Sequence, residues 1–141
     1  MMDSIAFKTL ERPRSPNTYL LAPEGLCEKA EPDEISGVFE MSPEAMFQAV
    51  LDLVGEGASW TLEAENKAQG MVHFVSTSRL MRFKDDIHVL VLLADADGAS
   101  LHNHCRLAVY SSSRVGHSDL GANRKRVKYL LECLQKKQIR A

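Results

Sequence analysis

Apolar residues in this chain recur at helical spacing between Pro43 and Val54, at every second position from Trp60 onward, and at helical spacing again toward Leu134. A change of period from 3.6 to 2 and back is the strongest constraint the sequence imposes, because each period buries a different kind of surface. In the first segment Met46, Phe47, Val50, Leu53 and Val54 share one face of a helix, with Gln48 and Asp52 opposite. Ser42-Pro43-Glu44 supplies an N-cap hydroxyl, a proline at the first helical position and an acid in the first turn, and Gly55 is the expected stop.

Strands follow. Residues 60–65 alternate weakly before Asn66-Lys67 turns the chain, and Val72, Phe74, Ser76, Ser78 and Leu80 then share one side of a longer strand, with Arg79 and Met81 on the other. Lys84-Asp85 is expected as a tight turn into residues 87–93, whose nearly continuous apolar run describes a central strand covered on both faces. Residues 95–98 end that strand, residues 101–105 are expected as a polar loop, and residues 106–114 complete the ladder. The last helix opens at Ser118-Asp119, with Leu120, Val127, Leu130, Leu131 and Leu134 as its apolar stripe.

Four of the five prolines fall in residues 11–32. Each fixes its own φ and pushes the preceding residue out of helix, so this stretch is an extended arm, and Tyr19-Leu20-Leu21 gives it something to pack with. The expected architecture is one α+β domain over residues 1–141. Residues 1–37 form the arm, and residues 38–141 form a two-layer core of a mainly antiparallel four-stranded sheet with both helices on one face. A chain of 141 residues with 45% hydrophobic and 26% charged side chains can build such a core without metal or disulfide help. No apolar run approaches the length of a spanning helix, so no membrane partner is expected. Three scattered cysteines, Cys27, Cys105 and Cys133, suit a reducing compartment, and the cytoplasm is the expected location.

The net charge of −2 divides unevenly. Residues 114–141 carry +6 and the rest −8, which reads as internal complementation rather than a nucleic-acid footprint, since Glu132 sits among the outward lysines.

The densest polar run, residues 111–124, joins a strand end to a helix start. Free amides at a helix start, serines and the arginines Arg114 and Arg124 together have the chemistry of an anion site. The same residues also serve structure: Ser118 and Asp119 as caps, and Arg114 paired with Asp85 or Asp86. Asn123 lies beside the buried stripe, so its amide must be satisfied, by the carbonyls of the arm or by a ligand. A second cluster, residues 78–86, sets Arg82 beside Asp85 and Asp86, whose side chains point to opposite sides if the segment is extended. His102 and His104 share a face if extended, but two imidazoles are too few for a metal site, and no cofactor is expected.

Three blocks carry a resemblance. Arg12-Pro13-Arg14-Ser15-Pro16-Asn17, residues 80–86 and residues 111–127, above all the Ser-Arg-x-Gly-x-Ser-Asp-Leu-Gly-x-Asn-Arg-x-Arg pattern starting at Ser113, resemble the bacterial and plastid family called domain of unknown function 1499. The family pattern has an arginine-type residue in the serine run where this chain has Ser111, Ser112 and Ser113. The resemblance implies a domain, not an activity, and implies that the three blocks belong together. On that basis Arg14, Asn17, Arg82, Asp85, Asp86, Arg114, Ser118, Asp119, Asn123 and Arg124 are expected to converge on one polar patch at one end of the sheet.

The expected function is a non-enzymatic module that binds a small anion or a protein partner through Arg82, Asp85, Asp86, Arg114, Ser118, Asp119, Asn123 and Arg124. A small hydrolase-like enzyme is the alternative, with Asp85 or Asp119 as base, His117 as proton carrier and Arg114 or Arg124 steadying an oxyanion. A purely structural or interaction role for the same residues is the third.

Overall fold

The computed structural model describes residues 6–57, 59–78, 82–96, 99–116 and 119–140. After a short 3-10 turn at Phe7–Thr9, the elements in chain order are β1 (Thr18–Ala22), β2 (Glu34–Ile35), α1 (Pro43–Glu56), β3 (Trp60–Asn66), β4 (Met71–Thr77), β5 (Lys84–Ala96), β6 (Ala99–Ser113) and α2 (Ala122–Arg140). The strands form one sheet in the order β2-β1-β6-β5-β4-β3.

The α+β class and the two helices agree with the sequence reading, but the sheet has six strands and is mixed. The two additional strands come from the arm. β1 runs antiparallel to β6, pairing Tyr19 with Ser111 and Leu21 with Val109, and β2 lies parallel to β1. Pro16 and Pro23 bracket β1, leaving a window too short for alternation to register, yet long enough for five ladder residues. The arm also crosses the sheet face away from the helices, where Phe7 is buried with Leu20, Ala22, Ala108 and Tyr110, and Leu10, Leu26 and Ala30 pack alongside.

α1 begins as expected. Ser42 Oγ accepts from the Ala45 amide at 3.1 Å, and Met46, Phe47, Val50, Leu53 and Val54 are buried. It stops two residues later than the expected Gly55: Glu56 is its last residue, and Gly57 caps it by donating to the carbonyls of Leu53 and Val54. The absent side chain matters for packing, since a Cβ at Gly57 would lie 3.1 Å from the Trp60 ring and the indole would have to give way to it.

Three further expectations change. β5 starts at Lys84, so Asp85 and Asp86 lie in the ladder opposite Ser113 and Ser112 rather than in a turn. Residues 99–105 are strand, not loop, because β5 and β6 form one long hairpin; a register shift at Leu93/Ala94 absorbs the irregularity, and Cys105 also bridges to Phe39. Leu120 does not belong to the helical stripe: it precedes α2 with φ of 53° and is 89% exposed. The expected positions of Arg79, Leu80, Met81, His117 and Ser118 lie outside the described residues.

One main core sits between the sheet and both helices. Val72 and Phe74 of β4, Ile87, Val89 and Val91 of β5, and Leu107 and Val109 of β6 meet the α1 stripe and Val127, Leu130 and Leu134 of α2. Burying such side chains contributes roughly 1.5–3 kcal/mol each. Among the described residues, no helix is long and apolar enough to cross a membrane.

Candidate functional site

Asn123, in the first turn of α2, is fully buried. Its Nδ2 lies 2.9 Å from the Asn17 carbonyl, 2.9 Å from Ser113 Oγ and 2.6 Å from Asp119 Oδ2, three acceptors sharing two protons. Its Oδ1 accepts from the Ser111 hydroxyl and from Arg126 at 3.0 Å. The amide is therefore satisfied in part by the arm. The arm's own end is held there as well, with Asn17 Nδ2 donating to the Gly116 carbonyl and the Asp119 amide donating to the Pro16 carbonyl.

Asp119 caps α2. Its Oδ1 accepts from the Gly121 amide at 2.7 Å and its Oδ2 from the Asn123 amide at 3.3 Å, so the chain's own carboxylate occupies the place an external anion would take at this helix start.

Arg126 completes the cluster from the next turn. Its guanidinium reaches Asp85 at 2.7 Å and Ser111 Oγ at 3.2 Å, with both charged side chains mostly buried. Arm, sheet and α2 thus meet in one closed network of Asn17, Asp85, Ser111, Ser113, Asp119, Asn123 and Arg126.

The remaining expected site residues are elsewhere. Successive residues of β5 point to opposite faces, so Asp86 leaves Asp85 and faces away from the helices. There it receives a bidentate pair from Arg114 at 2.8 and 2.9 Å and a contact from His73 Nε2 at 2.8 Å. The Arg114 hydrogen bonds, reinforced by His73, hold the Asp86 carboxyl below its ordinary range despite partial burial. His73 stacks on His88 with ring centroids 4.1 Å apart, and burial, helped by the His73 charge, pushes His88 down to about 4. Arg82 and Arg14 are exposed, Arg82 with φ of 58°. Arg124 is exposed and takes no part in the network; its charge acts on Tyr19 and Glu34. Glu34 accepts from the Tyr19 hydroxyl at 2.8 Å and pairs with Lys128 at 2.7 Å. Ser118 is outside the described residues. The expected patch is therefore divided: Asn17, Asp85, Asp119 and Asn123 meet on the helix side of the sheet, and Asp86 and Arg114 pair on the other.

Beside the network lies an open cleft of about 500 Å³ between the end of α1 and the start of α2. Leu53 and Trp60 line its inner side, Tyr129 and Lys125 its outer side, and Arg126 and Ala122 the end nearest the network. The Trp60 ring packs on Phe74 with centroids 4.8 Å apart and meets Tyr129 nearly edge-on at 6.1 Å. Lys125, Arg126 and Tyr129 were legible as a group: on a helix, positions three and four apart share a face, and Tyr129 is aromatic, off the buried stripe and 57% exposed. Trp60 carries no such signal, since its position as the first residue of a weakly alternating strand reads as core.

Among the described residues, no group of three or more His, Cys, Asp or Glu side chains could hold a metal ion. Cys105 is buried, and burial pushes its thiol up to about 12, which leaves it protonated and poorly nucleophilic.

A two-layer α+β domain, with an N-terminal arm pinned to the first turn of its last helix and a lateral cleft between its two helices, is the class that fold and site define. The chain belongs to the family described as protein of unknown function (DUF1499), whose family model matches residues 11–134. No curated protein matches the chain at significant similarity.

Proposed function

We propose that this domain is a non-enzymatic binding module for a small anionic ligand, held in the cleft between α1 and α2. The observation that carries this reading is the meeting of Lys125 and Arg126 with the aromatic pair Trp60 and Tyr129 around a cavity of about 500 Å³, a size and composition suited to a small organic ligand. The network has a supporting role. It fixes Arg126 through Asp85, Ser111 and Asn123, so one wall of the cleft is preorganised and little side-chain freedom is lost on binding.

A purely structural role for the network is the second reading, favoured by Asp119 and Asn123, whose polar side-chain atoms are all engaged within the chain. The hydrolase-like alternative has less support. Asp85 is committed to Arg126 and Asp119 to backbone amides, which leaves neither carboxylate as a poised base.

Thermal denaturation with phosphate, sulfate, acetate and benzoate tests the proposal. A ligand at 100 times its Kd stabilises the fold by about 2.7 kcal/mol, and Lys125→Gln removes that gain without lowering the unliganded midpoint. No shift with any anion, or a shift that Lys125→Gln leaves intact, contradicts it.

A further inference from the structure

Charge and shape in the cleft narrow the ligand further than "small anion". Arg126 contributes a guanidinium whose charge is already answered by Asp85 at 2.7 Å. Glu56, at the α1 end of the cleft, faces Lys137 at 3.6 Å. Lys125 is exposed, and among the described residues no carboxylate lies within ion-pair distance of it. The cleft therefore offers one uncompensated positive charge, which matches a singly charged anion. A phosphate, carrying about two charges near neutral pH and wanting several donors, would meet one lysine and a nearby acid.

The walls speak to shape. The Trp60 ring packs on Phe74 with centroids 4.8 Å apart and lies so near Gly57 that a Cβ added there would come within 3.1 Å of the indole, so packing sets its position. Tyr129 stands at 79° to it, so the two rings form a corner. A flat ring entering that corner stacks on one aromatic and presents its edge to the other, the two arrangements that aromatic quadrupoles favour. Leu53 and Ala122 extend the apolar lining beyond the corner.

We infer that the cleft takes a monoanionic aromatic acid, a benzoate-like carboxylate whose ring seats in the Trp60/Tyr129 corner while its charge meets Lys125. This rests on the cleft being the binding site, and the test separates the two claims.

Trp60 is the only tryptophan in the chain, so its emission reports on the cleft without labelling. The intact protein is titrated with benzoate, with benzyl alcohol (ring without charge), with acetate (charge without ring) and with inorganic phosphate. The expected result is a saturable change with benzoate, at an affinity at least about tenfold above the other three, weakened by about tenfold in both Lys125→Gln and Tyr129→Ala. Thermal midpoints of the two variants check that each is folded. If acetate or phosphate saturates the signal as well as benzoate does, and Tyr129→Ala changes nothing, the aromatic class is wrong while the cleft remains an anion site. If no anion moves either the emission or the midpoint, both claims fail. If benzoate alters emission equally in wild type and Lys125→Gln, it is quenching by collision and the inference is overturned.

Discussion

The Arg126 guanidinium stands 2.7 Å from the Asp85 carboxylate across the seam between α2 and β5, linking the wall of the cleft to the middle of the sheet. Both side chains are largely withdrawn from water, at 16% and 13% exposure, so each depends on the other for charge compensation. Arg126→Ala leaves Asp85 buried and unanswered, and is expected to cost about 3–5 kcal/mol. The double variant Arg126→Met/Asp85→Leu removes both charges and costs clearly less. Urea unfolding of the two variants decides this, and equal losses would show that the pair is not coupled.

Asn123 holds the arm by its carbonyl contact with Asn17 and holds the sheet through Ser111 and Ser113. Asn123→Ala strands several buried partners at once, each unsatisfied group costing about 1–3 kcal/mol. The arm is expected to loosen before the core does. Limited proteolysis should cut residues 11–32 faster in the variant while residues 43–134 stay protected, and an unchanged cleavage rate would contradict the assigned role.

Acid stability follows from the outer face. His88 titrates at about 4 in the fold against about 6.5 when unfolded, so between those values the unfolded chain binds the additional proton. The His88 contribution is therefore full above about pH 6.5 and falls as pH drops toward 4, at up to about 1.4 kcal/mol per pH unit. Asp86 has a folded value held below its unfolded one, so its contribution is present at higher pH and is lost on further acidification, below the unfolded carboxylate range. His88→Phe should flatten the upper window and leave the lower one, whereas Asp86→Asn should do the reverse. Chemical denaturation at a series of pH values reads both slopes, and a His88→Phe profile identical to wild type would refute the assignment.

Two glycines should respond differently to a methyl group. At Gly57 the backbone is extended and the atoms nearest the added Cβ belong to Trp60, with the ring at 3.1 Å, so Gly57→Ala displaces the indole at a cost of about 1–3 kcal/mol and shifts its emission. At Gly70 φ is +72° and the Cβ would lie 2.7 Å from the Val91 carbonyl oxygen, which accepts no such approach. Gly70→Ala adds about 1–2 kcal/mol of left-handed strain to that clash and should be the more damaging of the two, without changing Trp60 emission. Thermal melts and fluorescence of both variants check the order.

The elements that periodicity revealed are those with one long buried face. α1 has five stripe residues between Met46 and Val54 and a cap at Ser42, and each is where the pattern put it. The arm strands carry no such signal, because a strand of five residues between prolines, and one of two, have no room to show a period. Residues 99–105 read as a loop because His102, Asn103 and His104 break the apolar alternation there. The Arg114 pairing with Asp86 and the contact of Asn123 with the arm were legible as chemistry: a buried amide and an arginine beside acids both demand partners. The split of the expected patch was legible in principle, since adjacent Asp85 and Asp86 must face opposite ways once both are in a strand. The cleft was not, because it is made by the distance between α1 and α2, a tertiary quantity that no single segment encodes.

The most direct test of the cleft is a backbone amide NMR titration with benzoate, which reads every part of the molecule at once. A ligand in the cleft gives concentration-dependent shifts at residues 53–60 and 122–129, including the Trp60 indole N–H, with residues 82–86 and 111–116 little affected. Shifts confined to residues 82–86 and 111–119, or none at saturating benzoate, would contradict it.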